Sequence, residues 1–299
     1  MADPLEYAQW SGPLSRVSPG WGEKNVGSAP VRPEIRLAAL PEAGQGAPVT
    51  LQDLLLRPER YPRSSRYDPA WVLDLDMGPH PLWQLEDLLH GVELEPGGRV
   101  LDLGAGMGAT SVYLAREYDV RVDSLDLWVE VAERQPVLDD AGVAELVTAM
   151  QADVRTADLP ESTYDAVVCV DAFEYLGTDV HLLPRLVKTL RPSGLLAIST
   201  PALRHDPYDA GIPPYLREIF GWEIAAWHAP DWWRRHWELS GLVGAVDARW
   251  QEGGRGNWQR WQTALREASG ETGPDRVLDM LEADIEEEVG FALVTATRR

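Results

Sequence analysis

Between residues 100 and 108 the chain reads Val-Leu-Asp-Leu-Gly-Ala-Gly-Met-Gly. Gly104, Gly106 and Gly108 follow directly on an apolar run and precede a segment with helical spacing. Glycine admits positive φ and lets backbone approach a ligand closely. The helix that follows would offer unpaired N–H groups at its first turn. Asp102 stands just ahead of these glycines, and Asp126, Asp153 and Asp171 each follow or close a later apolar run. Asp126 is placed to accept from both hydroxyls of a ribose, and Asp153 from an adenine amino group. Singly each acid reads as a solvated loop residue; four in register along one edge read as a site. Glu174 and Tyr175 come directly after Asp171 and are the candidates for contact with a reacting substrate or for a base, a helix cap being the plainer reading of the pair. The histidines, His80, His181, His205, His228 and His236 among them, read singly as surface or hydrogen-bonded structural residues. None is spaced from another as metal ligands on a helix are, so no metal site is assigned.

Elements that could hold such residues alternate along the chain. Arg99–Leu103, Val120–Leu125, Leu146–Met150, Tyr164–Val170 and Leu195–Thr200 read as strands. Between them lie helices ending near Arg116, over Val129–Leu138 and over Val180–Leu190, with a turn at Arg191–Gly194. Tyr164–Val170 is apolar almost throughout, as a strand covered on both faces must be. Such alternation implies a parallel, doubly wound α/β sheet. Further on, Asp231 is the expected N-cap of a helix over Trp232–Ser240. Leu242–Trp250 reads as a strand, Asn257–Ala268 and Asp275–Glu286 as helices, and Glu288–Thr297 as a last strand. Upstream, Pro81–Leu89 is an amphipathic helix with proline at its first turn. The expected fold is therefore α/β: a Rossmann-like, doubly wound, seven-stranded, mostly parallel sheet with an N-terminal arm and a C-terminal helical insertion. The arm spans residues 1–65, is rich in proline and carries Trp10 and Trp21, which favours docking onto the body. A helical cover segment follows over 66–98, then the main domain over 99–299 with insertions near 201–230 and 251–287.

The 299 residues carry 27 Lys and Arg against 48 Asp and Glu, a net charge of −21, which disfavours nucleic acid and anionic membrane partners. No apolar run approaches a membrane span. The first residues lack the basic start and apolar stretch of a signal peptide. The single cysteine, Cys169, excludes an internal disulfide framework. A cytoplasmic protein is expected, with its oligomeric state open, a homodimer included. Most of the thirteen tryptophans read as core of the later helices, one or two as walls of an apolar pocket.

Two ligand classes fit the glycine loop. Gly104, Gly106 and Ala109 satisfy a dinucleotide fingerprint. The alternative is an S-adenosylmethionine loop, which wants an acid two residues before its first glycine, where Asp102 stands, and whose ligand has the α-amino group that suits an acid. On VLDLGAGMG, SLDLW and VCVDAFEYLGTD the chain resembles the class I S-adenosylmethionine-dependent methyltransferases, from about Gly78 to Thr200. Around Phe173-Glu174-Tyr175-Leu176-Gly177 it is also similar to cyclopropane fatty acid synthases and their mycolic acid relatives, whose corresponding glutamate helps hold a bicarbonate base; Tyr175 stands where those proteins have His. The resemblance implies that Gly104, Ala105 and Gly106 cradle the methionine part and that Asp171, with Asp102, lies near its amine. Asp126 would take the ribose, Asp153 and Val154 the adenine, and Leu127 and Trp128 would flank its ring. Residues Met77–His80 and Trp83 would close the pocket. The function implied is methyl transfer from S-adenosylmethionine to a small molecule, in specialised metabolism. Its rivals are other chemistry on the same cofactor, binding of that cofactor without catalysis, and a nicotinamide-dependent oxidoreductase.

Overall fold

The computed structural model describes residues 50–75, 78–176, 178, 181–221, 223–270 and 272–299. Most of the expected arm, with Trp10 and Trp21, lies outside these residues, as do Met77, Gly177 and Val180. The described chain begins with a short helix α1 (Leu51–Leu55), set by a reciprocal cap in which the Thr50 side chain accepts from Asp53 N and the Asp53 carboxylate accepts from Thr50 N. Two further helices, α2 (Pro69–Leu75) and α3 (Pro81–Leu88), each begin on a proline, where the missing N–H has no intrahelical partner to lose.

Strand and helix then alternate as β1 (Arg99–Leu103), α4 (Ala109–Tyr118), β2 (Arg121–Asp126), α5 (Val131–Asp140), β3 (Val147–Gln151) and β4 (Tyr164–Val170). They continue as α6 (Leu182–Thr189), β5 (Leu190–Leu203), two short helices α7 (Pro207–Ala210) and α8 (Pro214–Phe220), and α9 (Pro230–Ser240). The chain finishes with β6 (Val243–Trp250), α10 (Gly254–Ser269), α11 (Arg276–Ala283) and β7 (Val289–Arg298). The seven strands form one sheet in the order β3-β2-β1-β4-β5-β7-β6, parallel except for β7, which runs antiparallel to both its neighbours. The expected seven-stranded, mostly parallel sheet is what the chain forms.

Side chains alternate across a strand, and β4 shows it. Ala166, Val168 and Val170 enter one core with α3 and α4, whereas Val167 and Cys169 enter the other with α6 and α9. A third core gathers Leu203, Phe220, Trp227, Met280 and Phe291 around the later helices. Trp233, Trp237 and Trp261 are buried, as their helical spacing suggests.

Several expected elements shift by up to three residues at their ends, and two differences have a readable cause. The N-cap of α9 is Ala229, with Pro230 in the first turn. Asp231 lies inside that turn and pairs with Arg234; a proline at the first helical position starts the helix earlier than the acid would. The expected turn at Arg191–Gly194 is absorbed into β5, because Leu190 pairs with Tyr164 before the ladder resumes at Leu195.

The order of strands reverses between β1 and β4: the chain builds outward through β2 and β3, then returns to the other side of β1. Such a reversal opens a crevice at the carboxyl ends of the two strands.

Candidate active site at the carboxyl edge

The glycine loop leaves β1 at this crevice. Gly104, Gly106 and Gly108 all have positive φ, at 72°, 51° and 97°. A methyl group on Gly104 would overlap that of Ala172 beyond β4, so glycine is required for the two strand ends to meet. Gly104 N and Ala105 N both donate to Leu125 O, which ties the loop to β2.

Asp126 holds the loop from the side. Its Oδ2 accepts from Gly106 N at 2.8 Å, and its Oδ1 accepts from Trp128 N and Val129 N at 2.7 and 2.9 Å. The carboxylate therefore joins the glycine loop to the turn carrying Leu127 and Trp128, both exposed.

Asp102 is buried beneath the loop. Its Oδ2 accepts from Thr110 Oγ1 and Ser111 Oγ at 2.7 and 2.6 Å, so it anchors the first turn of α4. Burial pushes its carboxyl up to about 6 against the pull of those hydroxyls. Below lies the buried guanidinium of Arg134, which donates to Ser124 O and Met150 O and adds positive potential under Asp102 and Asp126. Sequence reading passed over Arg134, Thr110 and Ser111; their hydroxyls and charge look ordinary until the strands assemble.

Asp153 follows β3 and faces Arg155, whose guanidinium reaches both its oxygens between 2.7 and 3.0 Å. Those hydrogen bonds hold its carboxyl below the usual range. Val154, next to it, is buried in the core shared with α6.

Two further acids stand beyond β4. Asp171 has φ of +51° and donates its N–H to Ser199 O at 2.9 Å. Burial raises its carboxyl well above the ordinary range. Glu174, on the 3-10 turn Phe173–Leu176, is raised by burial and then by the charge of Asp171. Thr200 Oγ1 lies 3.5 Å from its Oε2. Among the described residues no Arg or Lys contributes to either shift. Tyr175, exposed, meets the Trp128 ring edge to face, with centroids 4.9 Å apart. The Trp128–Tyr175 contact thus joins the turn after β2, held by Asp126, to the turn after β4 that carries Glu174 beside Asp171.

Residues expected to close the pocket divide. Gly78 lies against Asp171, so closely that a methyl there would overlap the carboxylate. His80 and Trp83 are instead stacked on each other in the core, centroids 3.8 Å apart, and burial depresses the His80 imidazole to about 3. His205 pairs with Glu288, and His228 with Asp206. Among the described residues no group of His, Cys, Asp and Glu could hold a metal ion, and no helix is long and apolar enough to cross a membrane.

Residues 83–213 match the family model described as mycolic acid cyclopropane synthetase. The chain is 32% identical over 109 residues to a phosphoethanolamine N-methyltransferase of Triticum aestivum, covering 36% of this chain and 21% of that protein. It is 24% identical over 152 residues to a glycine/sarcosine/dimethylglycine N-methyltransferase of Actinopolyspora halophila, covering 50% and 26%. The matched stretches thus span about a quarter or less of the length of these two relatives. A solved putative sarcosine dimethylglycine methyltransferase from Galdieria sulphuraria superposes with a TM-score of 0.58 at 19% identity, covering 72% of this chain and 83% of that one. In fold, glycine loop and these matches the chain is similar to the class I S-adenosylmethionine-dependent methyltransferases.

Proposed function

We propose that the protein transfers a methyl group from S-adenosylmethionine to a small molecule, and that the acceptor atom is an amine nitrogen. The observation that carries the reading is the glycine loop, held by Asp126, beside the Asp171–Glu174 pair at the carboxyl edge of the sheet.

The residues present fit this cofactor. Gly104 and Gly106, both at positive φ with Ala105 between them, turn the loop sharply out of β1 ahead of the first turn of α4, where backbone can approach a ligand closely. Asp126 Oδ2 uses one lone pair on Gly106 N and keeps another for a ribose hydroxyl. Asp171 suits an ammonium group, Leu127 and Trp128 flank the adenine side, and Asp153 with Val154 bounds it. Asp102 supports the loop from below. When bound, the cofactor supplies a methyl group on a sulfonium, open to in-line attack.

Glu174 then has the acceptor. A carboxyl raised by burial and a like charge ionises when a cation comes beside it, so Glu174 binds an ammonium group and takes the proton that the nitrogen must lose before attack. Tyr175 and Trp128 present ring faces and edges that suit a cationic substrate. The two relatives described above are named as N-methyltransferases of amine-bearing small molecules, which supports the same acceptor. In this reading the N-terminal arm and the insertions near 201–230 and 251–287 frame the substrate side. The enzyme works in the cytoplasm, without nucleic acid or membrane partners.

The test is calorimetric titration with S-adenosylmethionine, S-adenosylhomocysteine and NAD, followed by incubation with a panel of small primary to tertiary amines and mass analysis of products. Binding of the two sulfur ligands and a mass gain of one methyl on an amine are expected. Glu174→Gln should keep cofactor binding and lose turnover. Binding of NAD alone would sink the reading, and a product altered by another part of the cofactor would replace methyl transfer with its rival chemistry.

A further inference from the structure

Gln84 is buried in α3, and both the oxygen and the nitrogen of its side-chain amide are hydrogen-bonded. Its Oε1 accepts from Ser199 Oγ at 2.6 Å, and its Nε2 donates to Pro79 O at 3.0 Å. Ser199 lies on β5, 115 residues away in sequence, and its own carbonyl accepts the N–H of Asp171. Pro79 adjoins Gly78, whose φ is +81° and whose α-carbon face is pressed on the Asp171 carboxylate. These contacts close a circuit: Asp171 to Ser199, Ser199 to Gln84, Gln84 to Pro79, and Gly78 back onto Asp171. None of the residues between Asp171 and Gly78 in this circuit carries a charge.

We propose that Gln84 is a positioning residue: by gripping Ser199 and Pro79 together it clamps the Gly78–Pro79 strap over Asp171 and so builds a sheltered subsite for the cofactor's ammonium group. The inference rests on the reading of the cofactor given above. The clamp acts in two ways. It fixes the backbone of Ser199, which orients Asp171 through its N–H, and it keeps the strap against one face of the carboxylate, limiting the water that reaches it. Removing one end should loosen the strap, hydrate Asp171 and let it ionise at lower pH. The titratable groups facing Asp171 are Glu174 on the turn beyond β4 and Cys169 on β4. Cys169 is held neutral by burial, and Asp102 lies beyond it beneath the loop. Pro79 and Gly78 contribute no charge, and His80 turns into the core against Trp83.

Two measurements test this. The first follows the Asp171 carboxyl by 13C NMR in the ligand-free protein, its signal assigned with Asp171→Asn. The variants are Gln84→Leu, which removes both bonds at similar volume, and Ser199→Ala, which removes only the hydroxyl and decides the matter should the leucine variant fail to fold. The second measures S-adenosylhomocysteine affinity against pH. In the wild type Asp171 should titrate well above free aspartate, and affinity should fall several-fold from about pH 8 to about pH 6 as the competent, ionised fraction shrinks. In either variant the titration should move acidward by about one pH unit or more, and the affinity should fall by about twofold or less over that range. An Asp171 titration unmoved in a folded variant overturns the clamp. Failure of the wild type to bind the ligand would overturn the proposed function instead, while the ligand-free titration still decides the clamp.

Discussion

Replacing Asp126 by Asn probes the joint between the glycine loop and the end of β2. The amide keeps one acceptor oxygen. Facing it towards Trp128 N and Val129 N preserves two of the carboxylate's bonds, whereas the opposite rotamer preserves only the one to Gly106 N. The amide nitrogen is therefore left facing Gly106 N–H, donor against donor, at a buried position. Losing one charge-assisted bond and stranding its donor costs roughly 2–3 kcal/mol. For an ordered body of this size that lowers the melting temperature by roughly 4–12 °C. The amide also offers one acceptor fewer to a ribose diol, so affinity for S-adenosylhomocysteine should fall about tenfold or more. Scanning calorimetry of the free protein and titration with the ligand measure the two effects separately. A variant that melts with the wild type would show that the Gly106 N–H does not depend on Asp126, and the account of the loop would be wrong.

Two further outcomes are expected. Gly104→Ala forces a side chain into positive φ and against the Ala172 methyl; left-handed strain and overpacking together should destabilise by roughly 2–5 kcal/mol in urea unfolding, and unchanged stability would refute the close approach. Asp102, raised to about 6 in the fold, binds a proton more tightly there than in the unfolded chain, so its contribution to stability declines as pH rises from its unfolded value of 3.8 through 6. Asp102→Asn removes that dependence while its oxygen still accepts from Thr110 and Ser111, so the variant should gain on the wild type with rising pH over this window; melting curves that stay parallel across it would count against the assignment.

Much of the fold could be read from local pattern. β1 and β4 run over the residues expected of them, because a central strand buried on both faces writes a nearly continuous apolar segment, here broken only by Asp102 and Asp165. The glycine loop was legible for a similar reason: positive φ at three alternate positions leaves a compositional mark. What escaped depends on partners remote in sequence. The length of β5 is decided by β7, which pairs with it from Leu195 to Leu203. The start of α9 turned on which of two competing signals, Pro230 or Asp231, would set the first turn. At the site, the acids' positions could be foreseen but not their occupations. Asp102 looks like a ligand for an amine until α4 brings Thr110 and Ser111 onto it. Asp153 is adjacent to the Arg155 that engages it, yet two residues apart in sequence does not by itself imply a two-toothed grip. Gln84 carries no motif; only the assembled sheet makes it the partner of Ser199.

The strand order also governs how the protein can emerge from a ribosome. β6 has β7 as its sheet neighbour, and β7 is made roughly 40 residues after β6 is complete. A nascent chain that has just released β6 can already assemble the parallel strands through β5, together with the glycine loop. It must hold β6 with the packed face of α9 and leave the outer edge of β5 unpaired until β7 slides between them. An open edge of this kind is a template for pairing with other chains. Translation that stalls before residue 289 would thus yield a product whose ligand-binding half is formed but whose sheet is open, prone to aggregate rather than to act.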